Sequence, residues 1–281
     1  MKATRGTLSN EGIVPYSKAQ DVPGVFARNL EDLRIMLSVM AGKDFARCGE
    51  VTIGFLEDED LDDRNQTPEA LQDAYDDLRF EFGVGFGSSP RIPRVPHELY
   101  AQLFQLLDTE LERDLSNYLG ARSGSSWSSL GSGVAEGMNL EFDEVTGELL
   151  SLPLDGFERA HYPGAIDIAA TRMKIEREFI QILEPLFEAK EVIVAPAYSP
   201  AEKLDLKRGY RTRARTYMSY LDGLSSVVGW PSLTLPFTYV AGLPAGLVMV
   251  AKPGGEPKLL AAAQSVSRNF QKPTWRGLQR G

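Results

Sequence analysis

The 281-residue sequence has one cysteine and two histidines, and these shortages exclude several classes of site. With Cys48 alone the chain can form neither an internal disulfide nor a cysteine-based zinc site. His97 and His161 leave little material for a histidine-dependent metal centre. We therefore expect no cofactor and no metal.

Long apolar runs are also missing. No stretch approaches the ~20 residues that a membrane-spanning helix needs, and no basic start followed by an apolar run indicates a secretory signal. We expect no membrane partner and a cytoplasmic protein, unless a targeting segment precedes these residues.

Positive charge is in the minority, with 30 Lys and Arg against 39 Asp and Glu and a net charge of −9. Phosphate binding needs clustered basic residues, so the sequence predicts no nucleic-acid partner. Hydrophobic residues make up 43% of the chain, enough to fill a sizeable core.

Three stretches look like sites but fail their context tests. Residues 57–63 hold six carboxylates without the glycine of a calcium loop, which favours a solvated loop over a metal site. Residues 83–89 are glycine-rich but follow a predicted helix rather than a strand, which indicates a linker. Residues 122–133 are serine-rich but lack a nucleophile elbow and a neighbouring base, which favours a structural turn.

Apolar spacing and capping residues predict an alternation of helices and strands. Asn29 is a helix cap, with Glu31 and Asp32 in the first turn and Gly42 as the stop. Strands are predicted at 51–56 and 192–196. Further helices are predicted from 67 to about 79, from 98 to about 119, from 166 to 189 as the longest, and around 259–270.

Two blocks of turn-rich sequence carry ordered motifs. The first block contains Lys2-Ala-Thr-Arg-Gly6, Gly12-Ile-Val-Pro-Tyr-Ser17, Asp21-Val-Pro-Gly24, Ala27-Arg28 and Ala41-Gly-Lys-Asp44. The second contains Ala195-Pro-Ala197, Ser226-Val-Val-Gly-Trp-Pro231, Leu233-Thr-Leu-Pro236 and Gly242-Leu-Pro-Ala-Gly246. In order and spacing the two blocks together resemble the amidase signature family, hydrolases of carboxamide bonds.

The resemblance implies an α/β fold, a mixed β-sheet core flanked by helices, as a partial amidase-signature fold. It implies one partial domain over 1–281: a post-nucleophile segment and helix at 1–44, a variable helical middle at 45–190, and C-terminal strands and a helix at 191–281. It also implies a serine nucleophile, a second serine preceded by a cis peptide, and a lysine base. The family places all three before the position of Met1, so no catalytic residue is carried over, and Lys2 matches a structural element instead.

The resemblance therefore predicts an enzyme acting on a small-molecule amide in a full-length form, with this chain inactive alone. The alternative is a non-catalytic binding or interaction protein on the same scaffold. The expected protein partner is either further copies of this chain, in a homo-oligomer, or a missing N-terminal half.

Candidate site residues are charged or small residues of the two blocks, together with two tyrosines that lie between motifs of the second block. Arg5, Asp21 and Arg28 are predicted to pin loops through buried hydrogen bonds. For Asp21 and Arg28 the alternative is an ordinary surface or helix-start charge. Gly6 and Gly24 are motif residues of the same loops. Weak substrate-facing candidates are Tyr217, Tyr220 and Ser226, the last standing where the family has Asn.

Overall fold

A computed structural model describes residues 1–46, 48–56, 69–85, 90–91, 95–123, 166–197, 221–240 and 242–268. The helices are α1 (Leu30–Ala41), α2 (Glu69–Glu81), α3 (His97–Ser123), α4 (Ile168–Leu183), α5 (Leu221–Val227) and α6 (Glu256–Ser267), and a 3₁₀ turn at Glu184–Phe187 follows α4. The strands are β1 (Ile53–Phe55), β2 (Val192–Pro196), β3 (Ser232–Val240) and β4 (Leu243–Ala251).

The four strands form one mixed sheet in the order β1-β2-β4-β3. β1 and β2 are parallel, whereas β4 is antiparallel to both of its neighbours. All five residues of β2 are buried, as its uninterrupted apolar sequence predicts. The predicted strand at 192–196 is confirmed, and the strand predicted at 51–56 is confirmed in a shorter form.

Helices cover both faces of the sheet. Alternate residues of β2 and β4 point to opposite faces, so Val192 and Leu247 belong to one apolar cluster and Ile193 and Val248 to the other. Helices α1, α2 and α6 pack on the first cluster, and α3, α4 and α5 pack on the second. The predicted α/β class, a mixed sheet flanked by helices, is confirmed.

The caps of α1 are those predicted from the sequence. The Asn29 side chain accepts a hydrogen bond from the backbone N–H of Asp32 (2.8 Å), and Gly42 closes the helix in the left-handed conformation at φ 63°. Leu33 and Leu37 are the residues that this helix buries. Local sequence alone therefore sets both ends of α1.

The helix predicted at 166–189 is shorter than expected and is not the longest. α4 ends at Leu183 because Pro185 cannot continue an α-helix, and a 3₁₀ turn replaces the predicted last turn. Among the described elements α3 is the longest, with 27 residues against 16 for α4. The spacing of Met173, Ile180, Leu183 and Phe187 also predicts a buried apolar seam along this helix. That prediction is wrong at Met173, whose exposed fraction is 73%.

Three further predictions concern turns and loops. Ser226 lies inside α5 rather than after a helix. Gly242 and Pro244 of the second block predict a tight strand-to-strand connection. Gly242 forms it at φ 80°, but Pro244 lies within β4 and not in the turn. The acidic loop at 57–63, the serine-rich stretch beyond residue 123 and two short helices expected within 134–160 lie outside the described residues.

Candidate functional site

The first two residues lie between β3 and the segment that precedes α1. Lys2 and Ser232 exchange two backbone hydrogen bonds (2.8 and 3.0 Å). On the other side Lys2 faces Gly24 in an antiparallel bridge, and Met1 exchanges two bonds with Val25 (2.6 and 2.8 Å). Met1 and Lys2 therefore form a short strand that is paired on both sides.

Arg5 attaches this segment to two helices. Its Nη1 donates to Glu176 Oε1 of α4 (2.5 Å), and its Nη2 donates to the carbonyl oxygen of Val227 at the end of α5 (2.7 Å). Its side chain packs on Gly229, where an added Cβ would lie 2.7 Å from Arg5 Cβ. Gly229 has φ 71°, so only glycine meets both the conformation and the close approach. Arg5 thus joins the first segment to α4 and to the end of α5.

Lys2 directs a buried amine at main-chain oxygens. Its Nζ donates to the carbonyl of Trp230 and, at 3.5 Å, to that of Ser225. The pKa of Lys2 is lowered to about 8, chiefly by burial and also by the charge of Arg5, while Asp222 partly opposes the shift. The amine holds the α5–β3 connection and contacts no serine hydroxyl in these bonds.

The hydroxyls of α5 are bonded within their own helix. Ser225 Oγ and Ser226 Oγ both donate to the carbonyl oxygen of Asp222, each at 2.8 Å. Such back-bonding is the ordinary state of a helical serine. Ser226, a predicted substrate contact, is therefore engaged in a local structural bond here.

A buried acid–base cluster connects the first segment to α3 and α4. Ser17 Oγ donates to Glu110 Oε2 (2.6 Å), and Arg172 binds both oxygens of that carboxylate, with Nε to Oε1 at 2.7 Å. Arg172 also donates to Glu176 Oε1 (3.4 Å), the atom that Arg5 contacts. The acid–base cluster, Ser17, Glu110, Arg172, Glu176 and Arg5, is one continuous network.

Asp21 shapes the loop beside this cluster. Its Oδ2 accepts the backbone N–H groups of Tyr16 (3.0 Å) and Ser17 (3.2 Å). Burial raises the pKa of Asp21, and the nearby Asp114 adds to the rise against those two bonds. Asp114 in turn accepts the backbone N–H of Lys18 (2.7 Å). Two carboxylates from separate elements thus fix residues 16–21.

The other predicted residues have different positions. Gly6 occupies a turn at φ 80° with open space around it, and Arg28 is exposed at the side of a groove. Of the two alternatives predicted for Arg28, its exposure fits the ordinary surface charge. Tyr217 and Tyr220 lie outside the described residues.

The groove runs between β3 and the segment that leads into α1, and its volume is about 760 Å³. Met1 and Lys2 close one end of it. Phe26 stands on its rim with an exposed fraction of 91%. Its apolar walls include Val25, Leu30, Leu33, Leu233, Leu235 and Leu260.

The acid–base cluster is not built for nucleophilic chemistry. Ser17 is fully buried, and its hydroxyl donates to the Glu110 carboxylate that Arg172 already holds, so the hydroxyl is engaged in a structural bond. Within the described ranges no group of three His, Cys, Asp or Glu side chains could hold a metal ion. Nor does any helix among those residues have the length and apolar character to cross a membrane. The acid–base cluster instead fixes the loops that carry Ser17 and Arg5 against α3 and α4.

Sequence reasoning found Arg5 and Asp21 but missed Ser17, Glu110 and Arg172. A signal was present, because Glu110 falls on the leucine face of α3 and Arg172 falls on the buried face of α4. Charged residues are almost never fully buried unless they are paired. Two opposite charges on two apolar helix faces therefore predict such a pair.

Comparisons with known proteins agree with this architecture. The family model described as Amidase matches residues 1–260. A glutamyl-tRNA(Gln) amidotransferase subunit of Methanosarcina barkeri is 25% identical over 98% of this chain and 61% of its own length. The corresponding subunit of Neisseria gonorrhoeae (strain NCCP11945) is 28% identical over 99% of this chain and 60% of its own length.

Solved structures show the same fold at low identity. The structure of PAM12A superposes with a TM-score of 0.71 at 21% identity, covering 96% of this chain and 58% of that one. The peptide amidase of Stenotrophomonas maltophilia gives a TM-score of 0.68 at 22% identity, covering 95% and 57%. The chain thus spans about 60% of the length of the curated relatives it matches. Because the family model accounts for all but the last 21 residues, the chain belongs to the amidase family.

Proposed function

We propose that the complete protein hydrolyses carboxamide C–N bonds through a serine acyl-enzyme, and that this chain supplies scaffold and pocket wall. The family match over residues 1–260 is the observation that carries the proposal. The substrate is a small-molecule amide, and the reacting groups are a serine, a second serine preceded by a cis peptide, and a lysine, none of them in this chain.

In this chemistry the serine Oγ attacks the carboxamide carbon while the lysine accepts the hydroxyl proton. The C–N bond breaks, and the amine or ammonia leaves with a proton returned by the catalytic groups. Water then cleaves the acyl ester and restores the serine. Backbone N–H groups in a glycine-rich stretch stabilise the oxyanion.

The described serines support a scaffolding role for this chain. Ser17 is buried against a paired carboxylate, and Ser225 and Ser226 bond their own helix. Lys2 has a lowered pKa, as a base would, but its amine donates to backbone carbonyls. These groups fix residues 1–28 in place, which positions any neighbouring catalytic segment.

The experiment isolates the native protein with an antibody raised against residues 192–270. The intact mass is measured, and release of ammonia from acetamide and benzamide and of p-nitroaniline from p-nitroacetanilide is followed with and without a serine-directed sulfonyl fluoride. We expect a species well above 31.0 kDa with inhibitor-sensitive turnover, and no turnover by the 31.0 kDa chain.

Two results would contradict the proposal. Inhibitor-sensitive hydrolysis by the 31.0 kDa chain alone would mean that its own residues react. A longer species with no turnover on any of the amides would remove the hydrolase assignment. A native species at 31.0 kDa would support the other reading, a non-catalytic binding protein on an amidase scaffold.

A second candidate is one component of a multi-subunit amidotransferase, because the curated relatives at 25% and 28% identity carry that name. It predicts partner subunits that co-purify in fixed ratio and ammonia release that depends on them. The net charge of −9 disfavours direct contact of this chain with tRNA phosphates, so a partner would carry the nucleic acid.

A further inference from the structure

The outer face of α1 carries a group of exposed apolar side chains. Four of them have exposed fractions between 46% and 76%: Ile35, Met36, Val39 and Met40. Their spacing makes them neighbours across two turns of the helix, whereas Leu33 and Leu37 on the inner face are buried. Single exposed apolar residues are ordinary, but a contiguous group indicates an interaction surface. We call these four side chains the α1 patch.

Each end of the α1 patch is followed by a charged residue, and the two charges have opposite signs. Asp32 lies one turn before the patch, three residues ahead of Ile35, and its helical position is on the same face. Lys43 lies one turn after the patch, three residues beyond Met40 and directly after the Gly42 cap. Both are exposed, and neither forms an ion pair with another described residue. The outer face of α1 is therefore apolar at its centre, negative at its N-terminal end and positive at its C-terminal end.

The two charges lie equally far along the chain from the midpoint of the α1 patch, which falls between Leu37 and Ser38. A two-fold axis through that midpoint, perpendicular to α1, would align two copies of the helix antiparallel. It would set the patch of one copy on that of the other, with each Asp32 against Lys43 of the second copy. The antiparallel arrangement also brings the positive end of each helix dipole beside the negative end of the other. A patch that is complementary to itself in this way is what a two-fold symmetric dimer uses.

The remaining charges near the α1 patch do not oppose this arrangement. Arg34 donates to Glu31 (2.9 Å) and to Asp44 (2.8 Å), so both carboxylates already have a cation on their own chain. The Lys43 ammonium lies 4.9 Å from the centroid of the Phe45 ring, and the residue stays exposed there. The two methionines of the patch are unbranched and flexible, so they can adapt to the surface of a facing copy.

We propose that the 281-residue chain forms a two-fold symmetric dimer in which the α1 patches of two copies pack antiparallel. The equal spacing of opposite charges about the centre favours a second copy over an unrelated partner, because an unrelated partner has no need of that symmetry. Two helices of 12 residues, each about 18 Å long, bury less than the roughly 800 Å² per partner of a standard interface. The dimer is therefore weak, with a Kd of about 10 µM. The proposal does not depend on amide hydrolysis.

The first test measures the mass of the chain by sedimentation equilibrium between about 1 and 100 µM, a range that brackets this Kd. We expect the average mass to rise from 31.0 kDa towards twice that value. Val39→Glu places an unpaired charge at the centre of the interface, so it should weaken the dimer at least about tenfold. The matched control is Met173→Glu on α4, where the exposed fraction is 73% against 76% at Val39, and it should leave the Kd unchanged. Glutamate is a good helix former, so both variants should keep the fold.

The second test reverses the two charges on separate chains. Asp32→Lys alone places a lysine against Lys43 at both contacts, and Lys43→Glu alone places a glutamate against Asp32 at both contacts. Each variant should therefore associate with itself about 3- to 10-fold more weakly than the parent chain. An equimolar mixture of the two variants restores opposite charges at both contacts, so the mixed dimer should form with about the affinity of the parent.

Three results would overturn the proposal. A mass of 31.0 kDa at every concentration would mean that the chain does not dimerise. A dimer that Val39→Glu leaves intact, or that Met173→Glu weakens equally, would not use the α1 patch. A mixture of Asp32→Lys and Lys43→Glu that associates no better than either variant alone would rule out the antiparallel register. This last measurement does not need Val39→Glu to fold, and none of these readouts depends on amide hydrolysis, so the proposed function can fail separately.

Discussion

Removing Arg172 should destabilise the fold more than any surface change, because it leaves the Glu110 carboxylate buried and unpaired. The two side chains have exposed fractions of 9% and 1%. Arg172 supplies two bonds to Glu110 and a third to Glu176, so Arg172→Met deletes every cationic partner that Glu110 has in this cluster. We expect a loss of about 3–5 kcal/mol in the free energy of unfolding.

Two further variants separate the effect of the charge pair from that of packing. Glu110→Gln keeps the shape and an acceptor for Ser17, so it should cost only about 1–3 kcal/mol. The double variant Glu110→Leu/Arg172→Met removes both charges and should be more stable than Arg172→Met alone. Urea unfolding at pH 7, followed by tryptophan fluorescence, measures all three variants.

The refuting result is specific. One refuting result is a free energy of unfolding for Arg172→Met within about 1 kcal/mol of that of the parent chain. Another is a double variant that is less stable than Arg172→Met. In either case the unpaired carboxylate is not what lowers the free energy of unfolding. The penalty of Arg172→Met should also shrink between pH 7 and pH 4, since an unpaired carboxyl group can then take up a proton. A penalty that is constant with pH would assign the loss to packing.

Folding lowers the pKa of Lys2 from 10.5 to about 8. Between these two pH values the unfolded chain therefore binds more protons than the folded chain. The free energy of unfolding should rise with pH across that window, by up to about 3 kcal/mol. Denaturation midpoints at pH 8 and pH 10 check this, and Lys2→Met should flatten the slope. Gly229→Ala should cost more than Gly254→Ala, which has a similar φ but open space, by about 1 kcal/mol or more in urea unfolding. Tyr75→Phe should cost about 1–2 kcal/mol, because the hydroxyl is shared between the carbonyls of Leu56, the residue after β1, and Val194 of β2; equal midpoints would contradict this.

The sequence predicted those parts of the fold whose causes are local. Asn29 and Gly42 bound α1 because a cap and a left-handed glycine act within one turn. The run at 192–196 is a buried strand because it carries no polar side chain. The end of α4 was overestimated although Pro185 was visible, because apolar periodicity continued past it into the 3₁₀ turn.

The candidate site was harder to predict, because its contacts join residues that are far apart in the chain. Arg5 could be singled out as a charge among turn residues, but its partner Glu176 lies 171 residues away. Ser17 and Glu110 are separated by 93 residues. Strand order was also beyond reach: the position of β3 at the sheet edge follows from long-range pairing and not from any local pattern.

These contacts explain how a segment with little apolar content keeps a defined position. Within residues 1–28 few hydrophobic side chains are buried, namely Ala3, Leu8 and Val25. The segment is instead held by Lys2 on the α5–β3 connection, Arg5 on α4 and Ser17 on α3. Polar bonds are directional, so they fix orientation where apolar burial fixes only proximity. The middle of the chain, which carries Glu110 and Arg172, therefore sets the geometry of the first block. A substitution at Glu110 or Arg172 should therefore alter the geometry of the first block, although neither residue belongs to it.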